Sequence, residues 1–291
     1  MNEPRQNSQH PGIVRAVAAL RERLGGWREG GARIALVPTM GALHDGHLSL
    51  VRLARRHADR VVVSIFVNPA QFGPNEDYRN YPRPESEDLE ALSGLADLVY
   101  IPDAADIYPP GFATTVHVAG LTEDLCGAHR PDHFDGVTTI VTKLLAQCRP
   151  DIALFGEKDY QQLLVIRRLI SDLDLGVDIL AGPIVRDADG LALSSRNVYL
   201  SAGERRVAAR LNQILGDLTQ RLRDGAEPAA VLAMARAALE TAGFDAIDYL
   251  ELRDAETLAP VDRITGPARV LAAVRIGGTR LIDNMAVAPP D

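Results

Sequence analysis

At 291 residues, with 46% of them hydrophobic, the chain can build one large or two modest domains around a substantial core. Its 39 acidic residues outnumber 31 basic ones, and a net charge of −8 argues against a broad nucleic-acid or anionic-membrane surface while leaving room for a local basic pocket. Two cysteines, Cys126 and Cys148, without C-x-x-C spacing give no disulfide scaffold and suit a reducing, cytoplasmic setting. The polar N-terminus has no apolar signal-peptide core, and no run reaches transmembrane length, so no membrane partner is expected.

Taken in chain order, residues 1–12 read as a loose tail. The apolar run 34–37 predicts a buried strand, followed by a helix over about 47–58. The β-branched run 60–67 is typical of a strand buried on both faces. A helix near 85–96, a strand at 98–101, a helix over 136–147, a strand at 152–155, a helix over 160–173 and a strand at 177–180 follow. This alternation is the signature of an α/β fold, a parallel sheet covered by helices. The pattern changes near residue 183. Runs 183–186 and 191–195 flank the turn sequence Asp187-Ala188-Asp189-Gly190 and predict a hairpin. Ser201 and Glu204 form a capping box at the start of a helix running to about Arg223, and Pro228 and Gly243 bracket a second helix. Strands are expected at 248–252, 269–276 and 280–285, the last two joined through Gly277-Gly278-Thr279. The expected division is a domain over 1–185 and a smaller α+β domain over 186–291.

The most informative stretch is Pro38-Thr39-Met40-Gly41-Ala42-Leu43-His44-Asp45-Gly46-His47. It links the first buried strand to a helix. Free N–H groups and the positive end of the helix dipole make such a helix start an anion site. Histidines there can hydrogen-bond phosphates as charge builds during transfer, which points to nucleotidyl transfer from ATP. Phe155-Gly156-Glu157-Lys158-Asp159-Tyr160-Gln161-Gln162 follows a later strand, and ligands of open α/β sheets bind at carboxyl ends of strands. Lys158 can neutralise phosphate, and Gln162 offers donors and an acceptor suited to a hydroxy acid. Asn68-Pro69-Ala70-Gln71 follows the β-branched strand, and the neutral Asn68 and Gln71 can orient a substrate without pairing its charge. Leu193-Ser194-Ser195-Arg196-Asn197 brings two hydroxyls and a guanidinium together as a phosphate-binding set. Taken singly, each of these segments also reads as an ordinary polar turn. His44, His47 and His133 do not have metal-helix spacing, so no protein metal site is expected; Mg²⁺ held mainly by ATP phosphates and water is the expected ion.

Together these segments, with Tyr81-Pro82-Arg83 and the run from Arg130-Pro131 through His133-Phe134 to Gly136-Val137, resemble the pantoate–β-alanine ligase (pantothenate synthetase) family of the H-x-G-H nucleotidyltransferase superfamily. The matches occur in family order and cover roughly 30–200. The resemblance implies a Rossmann-like domain, a smaller C-terminal domain that closes over the site, and a homodimer. It implies that (R)-pantoate, β-alanine and ATP give pantothenate, AMP and diphosphate through a pantoyl adenylate. It further implies that Met40, Gly41, Ala42, Leu43, His44, Asp45, Gly46 and His47 contact ATP, with His47 in the acid position. Gly156, Glu157, Lys158, Asp159, Val185, Leu193, Ser194, Ser195 and Arg196 would complete the ATP site. Gln71 and Gln162 would hold pantoate, with Gln71 also beside β-alanine. No protein nucleophile is required, and His44, His47, Lys158 and Arg196 are the residues expected to stabilise phosphate charge. An adenylyltransferase acting on a phosphorylated acceptor would need more basic residues near its acceptor pocket than Asn68, Gln71 and Gln162 supply. An aminoacyl-tRNA synthetase fits poorly with a short, acidic chain, and a non-catalytic nucleotide-binding module fits poorly with the retained histidines and Lys158.

Overall fold

A computed structural model describes residues 10–289, so most of the expected tail lies outside the described residues; Gly12, its last residue, instead opens strand β1 (Gly12–Val14). Helix α1 (Val17–Glu29) follows. Neither element is anticipated from the sequence: β1 has three residues, and α1 carries Gly25 and Gly26 and buries only Leu20 and Leu24. Next come β2 (Ile34–Thr39), α2 (Asp45–His57), β3 (Arg60–Ile65), α3 (Glu85–Ala91) and β4 (Leu98–Tyr100). Two short helices, α4 (Ala104–Ile107) and α5 (Cys126–His129), precede α6 (His133–Cys148), β5 (Ile152–Gly156), α7 (Tyr160–Asp172) and β6 (Asp178–Gly182). The C-terminal part holds α8 (Ala202–Arg223), α9 (Pro228–Ala242), β7 (Ala246–Asp254), β8 (Ala268–Ile276) and β9 (Thr279–Val287).

Strands β1–β6 form one parallel sheet in the order β1-β4-β3-β2-β5-β6. Chain order reverses at β2, which has β3 on one side and β5 on the other. An α/β sheet binds its ligands at such a switch point, beyond the carboxyl ends of the strands. Pairing of β2 with β5 stops at Leu36–Ala153, whereas β2 stays paired with β3 to Thr39. Pro38, without an N–H to offer a ladder, lies just beyond that last β2–β5 pair, and the two strands part there.

Both faces of the sheet are buried, as its β-branched strands require. On one face Leu20, Leu24, Val141, Leu144, Val165 and Ile166 pack together; on the other Leu50, Val51 and Ala54 of α2 meet Val61, Val63 and Leu154. The three-stranded antiparallel sheet β7-β8-β9 divides its side chains with the period of two that a strand dictates. Leu250, Leu252, Val270, Ala272 and Val274 pack under α8 and α9, whereas Tyr249, Leu271 and Ala273 join the core of the parallel sheet. Truncating one of these buried leucines to alanine costs about 2–5 kcal/mol.

Two expected elements are shorter than anticipated. The helix near 85–96 ends at Ala91 because the chain turns through Gly94 at φ +71°. The hairpin over 183–195 is reduced to one antiparallel bridge, Arg186–Ala192, around its turn. Pro183 cannot extend the ladder on one side, and Leu193 to Arg196 are drawn into a cavity wall on the other.

Candidate active site

The cavity opens where β2 and β5 diverge, lined by Pro38, Thr39 and Met40 from the end of β2 and by Phe155 and Gly156 from the end of β5. His44 is the N-cap of α2, in extended backbone conformation. Its Nδ1 accepts from the Gly46 N–H at 3.2 Å, and the His47 Nδ1 accepts from the His44 N–H at 3.3 Å. The two imidazoles therefore cap the helix reciprocally, with ring centroids 4.1 Å apart. Gly46 is required sterically: a Cβ there would lie 2.9 Å from the His44 ring. With both Nδ1 atoms accepting, each neutral ring carries its proton on Nε2. Burial, reinforced by the Lys158 charge, lowers the His44 pKa to about 4; burial, His44 and Lys158 lower that of His47 to about 3. At neutral pH the proton that His47 can offer is thus the Nε2–H of an uncharged ring.

The loop before these histidines needs external support, because Gly41 and Ala42 both have positive φ, +81° and +50°. Asp88 of α3 provides it. Its carboxylate, 2% exposed, accepts the Ala42 N–H at 2.9 Å and the Leu43 N–H at 2.7 Å. Ser195 binds the same loop from the other side, its Oγ donating to the Ala42 carbonyl at 3.1 Å. Asp88 has no local signal that separates it from Glu85, Glu87 and Glu90 in an acidic helix, and sequence reasoning missed it.

Asn68 is 1% exposed and fully engaged by protein groups. Its Nδ2 donates to the Gly136 carbonyl and to Gln71 Oε1, both at 3.0 Å, while its Oδ1 accepts from the Ala70 N–H and the Tyr108 hydroxyl. These bonds fix the Gln71 amide so that its Nε2, now 3.0 Å from Met40 Sδ, is the end offered to a ligand. The turn carrying Gln71 rests against the first turn of α6, where a Cβ on Gly136 would come within 2.1 Å of the Ala70 carbonyl oxygen. His133 donates from Nδ1 to the Gln71 carbonyl at 2.8 Å and accepts from Arg130 on Nε2 at 3.0 Å. Burial and then the Arg130 charge lower its pKa to about 4, so it too is neutral. Arg130 also pairs with Glu76; burial would raise that carboxyl, but the hydrogen bonds and charge of Arg130 prevail and bring it to about 2. Arg130 and His133 line the cavity without having been given a role from sequence.

Lys158 and Asp159 reach the cavity from a single turn, Glu157–Asp159, that follows β5. Gln162, on the first turn of α7, lines it as well, while its neighbour Gln161 is used up by the backbone of residues 121, 124 and 126. Val185, Leu193, Ser194, Ser195 and Arg196 close the remaining wall. Arg196 makes a bidentate pair with Asp77, at 2.9 and 2.8 Å, over the rings of Phe72 and Tyr81. Its guanidinium is therefore already engaged. The sequence-selected residues Met40, His44, Gly46, His47, Asn68, Gln71, Gly156, Lys158, Asp159 and Gln162 all meet at this cavity. Gly41, Ala42 and Leu43 lie behind it as the supporting loop, Asp45 points outward towards Arg52, and Glu157 turns to Arg269. Among the described residues no cluster of three His, Cys, Asp or Glu side chains could hold a metal.

Residues 12–286 match the family model described as pantoate-beta-alanine ligase. The chain is 56% identical to the pantothenate synthetase of Paramagnetospirillum magneticum, covering 95% of this chain and 98% of that protein. It is also 56% identical to that of Sphingopyxis alaskensis, covering 94% and 99%. The crystal structure of pantothenate synthetase from Thermus thermophilus superimposes with a TM-score of 0.91 at 45% identity, covering 96% of this chain and 100% of that one. That of the Francisella tularensis pantoate-beta-alanine ligase, complexed with beta-gamma ATP and beta-alanine, gives 0.80 at 33% identity, covering 94% and 97%. The match extends through the C-terminal sheet as well as the parallel sheet, and by sequence and fold alike the chain belongs to the pantoate-beta-alanine ligase family.

Proposed function

We propose that this ligase condenses (R)-pantoate with β-alanine in two half-reactions within the cavity at the β2–β5 switch point. The pantoate carboxylate attacks the α-phosphorus of ATP, diphosphate leaves, and the amine of β-alanine then displaces AMP from the pantoyl adenylate. The observation that carries this reading is the pair of uncharged imidazoles at the start of α2, with Lys158 on the same cavity. Neutral Nε2–H donors and one ammonium favour phosphate oxygens as their charge grows, without demanding a proton transfer. Arg196 joins them if a phosphate replaces or shares Asp77.

Gln71 and Gln162 hold pantoate by neutral hydrogen bonds. A bidentate arginine on the reacting carboxylate would stabilise its charge and blunt its attack, whereas amides on the hydroxyls orient it and leave it nucleophilic. Asn68 serves this step from behind, by fixing which end of Gln71 faces the substrate. Asp159 is the one carboxylate on the cavity wall among the described residues, and one carboxylate beside a triphosphate fits Mg²⁺, which keeps most of its shell as phosphate oxygens and water. Bound there, Mg²⁺ would neutralise phosphate charge.

No helix among the described residues is long and apolar enough to cross a membrane, and both cysteines are free and buried. Work in the cytoplasm as a homodimer is the reading that these thiols and the family kinship support. The test is pantoate-dependent exchange of labelled diphosphate into ATP without β-alanine. Exchange is expected; an absolute requirement for β-alanine would refute the adenylate mechanism.

A further inference from the structure

The turn that carries Lys158 is gripped from the C-terminal sheet. Asn284 of β9 is 2% exposed, and its Nδ2 donates to the carbonyls of both Glu157, at 2.9 Å, and Lys158, at 3.0 Å. Two carbonyl acceptors fix which end of the amide faces the turn. The Asn284 backbone is fixed in turn: its N–H donates to Asp283 Oδ1 at 2.8 Å, and Asp283 makes a bidentate pair with Arg186. Arg269 of β8 adds a contact to Glu157 at 3.2 Å and lies over the Tyr160 ring at 3.8 Å. Of these groups, Asn284 alone bonds the lysine's own backbone among the described residues.

We propose that Asn284 is a positioning residue for adenylate formation, holding the 157–158 backbone so that the Lys158 ammonium is presented to the phosphates in the cavity. A lysine side chain is long and flexible, so fixing its backbone narrows the volume that its ammonium can reach. The three-residue turn lies between the end of β5 and the start of α7 at Tyr160. Asn284 lies 126 residues away in sequence and supplies two hydrogen bonds to it. The C-terminal sheet is on this account part of the phosphate-activating machinery, although none of its own strands lines the cavity.

The inference rests on the ligase reading of the cavity, so the full-length wild type must first show pantoate-dependent ATP–diphosphate exchange; its absence would sink that reading and not this one. With exchange established, Asn284→Ala is expected to lower its kcat by roughly 10- to 100-fold, the scale of a misplaced catalytic group, with the KM for ATP changed by no more than about 2-fold. Asn284→Ser, still able to donate to one carbonyl, should recover part of the loss. In a Lys158→Ala background Asn284→Ala should cost less than about 2-fold more, because the group it positions is gone. An unchanged kcat, a loss confined to KM, or a full additional loss on top of Lys158→Ala would overturn the proposal. If the alanine variant shows no cooperative thermal transition, the serine variant is read in the same two backgrounds; failure of both to fold would make Asn284 a structural residue and overturn it equally.

Discussion

Acidification from pH 7 to pH 5.5 should destabilise the fold through His44, His47 and His133. All three are held uncharged chiefly by burial, at pKa values of about 4, about 3 and about 4, whereas an unfolded chain leaves histidine near 6.5. The folded-state pKa is depressed, so the unfolded state binds the extra proton as pH falls, and stability rises with pH across the interval. At pH 7 the unfolded imidazole is about one quarter protonated and at pH 5.5 about nine tenths; integrating that difference gives a loss of about 1.2 kcal/mol per histidine, nearly 4 kcal/mol for the three. Carboxylates of ordinary pKa contribute little until the pH is lower. Glu76, depressed to about 2, then adds a loss of the same sign below about pH 4.5. Urea melts at pH 7.0, 6.0 and 5.5 and constant ionic strength should show the midpoint falling by roughly 1.2 M over the interval, for a slope near 3 kcal/mol/M. His133→Asn, whose amide can still donate to the Gln71 carbonyl, should lower stability at pH 7 but remove about a third of the pH dependence. A midpoint indifferent to pH between 7 and 5.5, or an undiminished slope in the variant, would refute the neutral-histidine argument.

Three further outcomes follow from the site. His44→Ala or His47→Ala should lower kcat by roughly 10²–10³ while ATP binding stays nearly intact, because each removes a donor that matters most as charge develops; unchanged turnover in a folded variant would leave the rings as mere helix caps. Gln162→Ala should raise the KM for pantoate, and a 2-deoxy analogue should be a poor wild-type substrate yet less sensitive to the change; equal losses for both would show that Gln162 does not read that hydroxyl. Asp88→Asn swaps one acceptor for a donor facing a backbone N–H, which should cost about 1–3 kcal/mol of stability by thermal melting and depress kcat through the displaced His44 loop.

Much of the molecule was legible from local pattern. The alternation of β-branched runs with helix periods specified a parallel sheet, because strands buried on both faces have to be continuously apolar. The capping box at Ser201 and Glu204 marked the start of α8, since its bonds span three residues. The segments around His44, Gln71, Lys158 and Arg196 could each be assigned to the end of a strand or a turn, and all contribute to the one cavity. Tertiary structure alone decided the division of labour between them. Asn68 and Gln71 look equivalent in sequence, but Asn68 is consumed by Gly136, Ala70 and Tyr108 and Gln71 is left to face the cavity. Arg196 reads as a free phosphate ligand until Asp77 is found on it, 119 residues away. Asp88 and Asn284 carry no recognisable motif, because their partners are backbone groups of distant turns. A periodic apolar pattern is the imprint of burial and repeats along the chain, whereas a single polar side chain satisfying a remote N–H or carbonyl repeats nowhere, so only the folded contacts reveal it.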